Sequence, residues 1–119
     1  MFETPSGVTR CRAAILAKMT SRRHPNLIDR TKHPGVFTRH NLTTWHIEFT
    51  GEDTATARTY AIVFSTIGQD HSGVYDDQLA RGREWRFAHR RVRVDWIHKD
   101  TVMPHLLTNL EGGAAQVSG

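Results

Sequence analysis

Residues 73–96, GVYDDQLARGREWRFAHRRVRVDW, decide how this chain folds. They read as two strands joined by a short turn. Val74, Tyr75 and Leu79 lie on the first arm and the ARGRE segment turns the chain. Trp85, Phe87, Val92, Val94 and Trp96 fill the second arm. Aromatic and β-branched residues alternate here with Arg, His and Asp, the pattern of an antiparallel hairpin with one dry face and one polar face. An isolated hairpin is marginal in water, so neighbouring segments must cover it.

Working back from the hairpin, GQDHSG (residues 68–73) reads as a loop. TATARTYAIVFSTI (Thr54 to Ile67) is a long strand, and Gly51, Glu52 and Asp53 form a tight turn before it. VFTRHNLTTWHIEFT (Val36 to Thr50) is a second long strand, rich in threonine and aromatic residues. His24 to Gly35, with two prolines and a glycine, is a loop. Val8 to about Arg23 is the one helix: Val8, Cys11, Ile15 and Met19 recur at helical steps and Leu16 widens the stripe. Ser6 is its N-cap, Arg22 and Arg23 suit its C-terminal end, and Pro25 stops it. Cys11, on the apolar stripe, is inert packing. Beyond the hairpin, TVMPHLLTNL reads as an extra strand or turn, and residues 110–119 as a frayed tail.

One helix and four successive antiparallel strands make an α+β meander in a single domain, with its core over about residues 8–97. Strands of about 12 residues span roughly 40 Å and must coil. A helix packed on such a strongly curved four-stranded sheet leaves a cone-like pocket, the expected ligand site.

The chain has 119 residues, 38% apolar and 24% charged, an ordinary soluble composition. No apolar run approaches the roughly 20 residues of a membrane helix, and the N-terminus lacks a signal peptide's apolar core. One cysteine excludes an internal disulfide, and the expected compartment is the cytoplasm. The net charge is +4, and 13 of 16 basic residues are arginine. They are spread over every segment with no basic run, which argues against a nucleic-acid binder. The eight histidines form no metal-ligand spacing, so no metal or other cofactor is expected.

RHNLTTWHIEFTGEDTATARTYAIVF (residues 39–64) followed by residues 73–96 resembles the SnoaL-like branch of the nuclear-transport-factor-2-like superfamily. The strongest elements are Arg39-His40 followed by Thr43, the strand Thr54 to Phe64, and Tyr75, Asp77 and Leu79 after Gly73. Trp85-Arg86-Phe87 ahead of Arg90-Arg91 completes the set. The resemblance implies the fold of polyketide cyclases, scytalone-dehydratase-like and steroid-isomerase-like enzymes, and dioxygenase small subunits. Two departures stand out. Thr44 occupies a position where relatives usually have Asn, and the extra N-terminal helices that often carry a Tyr and an Asp are not expected within this sequence.

The resemblance makes His40 the leading acid/base candidate, and an imidazole with an ordinary pKa near 6.5 suits proton transfer at neutral pH. Its alternative is a strand histidine that merely bonds a neighbour. Alternation puts Tyr75, Asp77 and Leu79 on one side of their strand and Phe87, His89 and Arg91 on one side of the next. Asp77 would then orient His40 or His89, or else pair with an arginine across the strands. Tyr60, Tyr75, Thr44, Phe87 and Arg91 complete the expected ligand contacts, with both tyrosines equally readable as core. Arg58, Arg90 and Arg93 read as an outer solvated face or a subunit contact, as does Arg91 in the alternative. Two functions compete. One is a cofactor-independent lyase, isomerase or cyclase acting on a hydrophobic polycyclic or polyketide-like small molecule. The other is a non-catalytic binding or assembly module, with a second copy as the simplest partner, most economically as a homodimer.

Overall fold

The computed structural model describes residues 1–5, 7–20, 35, 37–108 and 116–118. In chain order they form β1 (Phe2–Thr4), β2 (Gly7–Thr9), α1 (Arg12–Thr20), β3 (Thr38–Phe49), β4 (Thr54–Ser65), β5 (Gly68–Arg81), β6 (Trp85–His98), α2 (His105–Thr108) and β7 (Gln116–Ser118). The expected Ser6 cap, residues 21–23 of the expected helix, the loop from His24 up to Gly35 and residues 109–115 lie outside the described residues.

The fold is α+β, dominated by one curved, open sheet. Its order is β2-β1-β6-β5-β4-β3, with β7 also on β6. The four expected strands are its body, but among the described residues the sheet has seven strands, not four. The extra three are short, and two of them use the edge of β6 that the hairpin leaves free. β1 pairs parallel with Arg90 and Arg91, and β7 pairs parallel with Trp96 to His98. The Met1 ammonium donates to the Ala88 carbonyl at 2.9 Å and anchors β1 there.

Three local expectations change. GQDHSG is the beginning of β5, not a loop. Gly68, at φ 93°, takes the left-handed conformation that lets β4 turn directly into β5. TVMPHLLTNL contains the short helix α2 where an extra strand or turn was expected. The helix α1 begins at Arg12 and is not the sheet's cover, because none of its residues is buried. Val8 belongs to β2, and the Cys11 sulfur accepts the Ala14 N–H just before the helix. Of the expected stripe α1 keeps only Ile15, Leu16 and Met19; Leu16 stays exposed, and Ile15 and Met19 only border the sheet face.

The packed centre is small. Val74 and Ile97 are fully buried, with Ala55, Ala61, Val63 and Leu106 nearly so. Two irregularities in the β5–β6 register shape the site. One lies between Ser72 and Gly73, the other between Gln78 and Leu79. At the first, the β6 backbone comes so close that a side chain on Gly73 would collide with the Arg93 carbonyl.

Candidate functional site

One face of the sheet holds an open trough of about 740 Å³. Ala61, Val92 and Val94 form part of its floor, and Phe2, Ile15, Met19 and Leu106 contribute to its rim. The polar groups on this apolar surface are few. His40 on β3 reaches across β4 to Tyr75 on β5, with Nδ1 3.0 Å from the Tyr75 hydroxyl. The two can meet because His40 sits opposite Val63 and Tyr75 opposite Thr59, small residues that leave the space above β4 free.

Arg90 lies beneath this pair. Its guanidinium is 4.6 Å from the Tyr75 ring centre and 4.4 Å from that of Phe87, a double cation–π stack. Two further bonds, at 2.8 and 2.9 Å, tie it to both oxygens of Asp77. The Asp77 side chain is 2% exposed. The carboxylate is thus engaged by its cross-strand arginine and reaches neither His40 nor His89. Arg90 is also not part of an outer solvated face; it is the stacked cation of the trough.

Burial, and then the neighbouring His71, hold the His40 imidazole below its ordinary value, so the neutral ring dominates at neutral pH. Burial likewise pushes the Tyr75 phenol up; Arg90 opposes this and Asp77 adds to it. Tyr75 therefore keeps its proton and remains a hydrogen-bond donor.

A bulge separates the expected residues. His89 pairs with Gln78, whereas Phe87 pairs with Leu79, so Ala88 is the extra residue and the alternation changes phase. Phe87 faces the trough, while His89 and Arg91 turn to the opposite face. There His89 and Arg91 approach the Glu3 carboxylate at 3.4 and 3.7 Å. Tyr60 and Thr44 line the same side, around a second hollow of about 720 Å³. Charged pairs, including Arg58 with Asp76 at 2.7 Å, line that hollow. Of the eight candidate residues, His40, Tyr75 and Phe87 meet in the trough, Asp77 supports them from below, and His89, Tyr60, Thr44 and Arg91 are elsewhere.

Two residues absent from the expectation also belong here. His71 lines the trough, and its Nδ1 is 2.7 Å from the fully buried Asp70 carboxylate. Both fall in the stretch read as a loop. The usable signal was the alternation His71, Gly73, Tyr75, Asp77, which continues one strand face through the glycine.

A family profile described as the SnoaL-like domain matches residues 1–91. Among solved structures, a protein of unknown function with a cystatin-like fold from Nostoc punctiforme PCC 73102 is similar, at 18% identity and a TM-score of 0.55. The match covers 79% of this chain and 66% of that protein, so this chain spans just under two thirds of its length. No curated protein matches. With three quarters of its length inside the profile and the curved sheet to go with it, the chain belongs to the SnoaL-like domain family, one of the nuclear-transport-factor-2-like families.

Proposed function

We propose that the trough is the site of a cofactor-independent isomerase, lyase or cyclase that acts on a hydrophobic ring compound bearing a carbonyl. The observation that carries this reading is the 3.0 Å contact between His40 Nδ1 and the Tyr75 hydroxyl in a mainly apolar trough. In the tautomer with the proton on Nδ1, His40 donates to the Tyr75 oxygen and leaves a lone pair on Nε2. The Tyr75 O–H is then free for a substrate carbonyl. Nε2 takes the proton from the carbon next to that carbonyl as the C–H bond breaks. The electron pair moves into the enolate, whose oxygen Tyr75 holds. In a substrate with a β,γ double bond the enolate is a dienolate. Return of the proton from His40 to its γ carbon, with the double bond moving into conjugation, completes an isomerisation. Arg90 keeps the Tyr75 ring in place and adds positive charge beside the developing oxyanion.

The test is deuterium exchange of the protons next to the carbonyl of 2-tetralone in heavy water, followed by proton NMR. Wild-type protein accelerates the exchange, and His40→Gln lowers the protein-dependent rate by about 100-fold or more, the usual contribution of a general base. Equal rates for the two proteins would remove His40 from the chemistry.

A binding module without turnover is the second reading. The engagement of Asp77 by Arg90 favours it, since His40 then has no carboxylate of its own. It predicts ligand affinity with no exchange above background.

A further inference from the structure

Asp70 and His71 form a second polar station in the trough. The Asp70 carboxylate is fully buried and accepts four hydrogen bonds. The His71 ring and the Thr101 hydroxyl bond Oδ1, while the Ser65 hydroxyl (2.8 Å) and the Val102 N–H (2.9 Å) bond Oδ2. Four donors use its whole acceptor capacity. Burial by itself would raise this carboxyl. The donors, His71 first, outweigh it and hold the group well below the usual carboxylate range, so it is ionised.

An acceptor this fully used constrains its neighbour. The His71 nitrogen that faces Asp70 must be a donor, so Nδ1 carries the proton. In the neutral ring, Nε2 is left with a lone pair only. That atom has no hydrogen-bond partner among the described residues and is not sealed from solvent. The side chain is 11% exposed, and it lines the trough.

The register fixes where this acceptor stands. His40 and His71 each pair with Val63, one from either side. They are two strands apart, roughly 10 Å between backbones at about 4.8 Å per strand. One fused two-ring molecule bridges that distance.

We propose that His71, locked in one tautomer by Asp70, is a specificity-determining residue that accepts a hydrogen bond from a ligand hydroxyl, so that the trough selects hydroxylated ring compounds. This deepens the reading of the trough as a site for carbonyl-bearing rings. His40 and Tyr75 take the carbonyl end, and His71 takes a hydroxyl on the far side of Val63. An ether or a second carbonyl at that position would present lone pair to lone pair and leave Nε2 unpartnered, the kind of mismatch that sites use to reject analogues.

The probes are 2-naphthol and 2-methoxynaphthalene, matched rings with and without the donor, titrated by calorimetry into wild type, His71→Phe and His40→Gln. Wild type prefers the naphthol by about tenfold or more. His71→Phe binds the two alike, with an unchanged circular dichroism spectrum. His40→Gln keeps the preference. A long-range proton–nitrogen NMR correlation on wild-type protein, which needs no variant, shows His71 protonated at Nδ1 and bare at Nε2.

Equal affinities in wild type, including no measurable binding of either, overturn the inference. So does a preference that survives in His71→Phe, or a proton found on Nε2 of the neutral ring. The two proposals fail separately. Unchanged exchange in His40→Gln sinks the acid–base reading while the naphthol preference stands. Loss of the preference with His40-dependent exchange intact sinks this inference alone.

Discussion

At the scale of single residues, the trough is governed by which carboxylate each basic group meets. Asp77 meets Arg90 and is thereby a support for Tyr75. Truncating one member of a buried hydrogen-bonded pair strands the other, so Asp77→Ala should lose roughly 3 kcal/mol of stability, read by urea denaturation. A loss below about 1 kcal/mol would show that Arg90 finds water instead. Asp70 sets a pH dependence whose sign is fixed. Its carboxyl is depressed in the folded chain, so its contribution is full above about pH 4 and is lost as pH falls through the lower folded value. Asp70→Asn should therefore be less stable than wild type at pH 7, with the gap narrowing below about pH 4. A constant gap between pH 7 and pH 3 would count against the ionised carboxylate. For His40 the direction is also downward, from burial and then from His71. Its proton-accepting form persists below pH 6.5, so the acid limb of kcat/KM for tetralone exchange should fall below about pH 6.5. An acid limb above that value would point to another group.

At the scale of elements, the β5–β6 hairpin carries the site because its two irregularities retime the alternation. Without Ala88 as an extra residue, Phe87 would share a face with His89 and Arg91, as simple period-two counting requires. With it, an aromatic ring joins the trough and a histidine leaves. The irregularity between Ser72 and Gly73 lies where β6 leaves no room for a side chain on Gly73. Gly73→Ala should force the Arg93 carbonyl away and lower stability by about 2 kcal/mol or more, visible as a reduced Tm. An unchanged Tm would mean that the strands separate there without penalty. Gly68→Ala is a useful companion, since it strains the β4–β5 turn through its φ of 93° and not through a contact.

At the scale of the whole molecule, the sheet is more open than its size suggests. Trp45, Phe49, Ile47 and Phe87 are all more than half exposed, at 68%, 70%, 53% and 60%. In register they stand on the face that carries the trough, where Phe49 meets Trp85 edge to face at 5.8 Å. Exposed apolar surface of this kind is removed from water by association. Sedimentation velocity should accordingly show an apparent mass that rises with concentration, and Trp45→Ser with Phe49→Ser should shift the protein towards monomer. A single monomeric species for wild type at high micromolar concentration would refute self-association through this face. Among the described residues, no helix is long and apolar enough to cross a membrane.

What the amino-acid order determined on its own was the sequence of long strands and the family. β-branched and aromatic alternation is a local property, and so are the turn residues of the Gly51 to Asp53 segment. His40 was legible through its resemblance to a family motif, and Tyr75 and Asp77 because β5 pairs with β4 in unbroken alternation around them. Only the tertiary structure decided which residues share the trough. A bulge changes phase only when a partner strand pairs around it, and no side chain announces that Ala88 will be skipped. Asp70 and His71 were hidden because glycine, aspartate and serine promise a loop until β4 and β6 supply backbone partners for His71 on both sides, and Asp70 is the residue skipped in the pairing with β4. The helix failed as a cover for a related reason: its stripe is apolar, but a stripe binds a sheet only if enough of it lies within one helix.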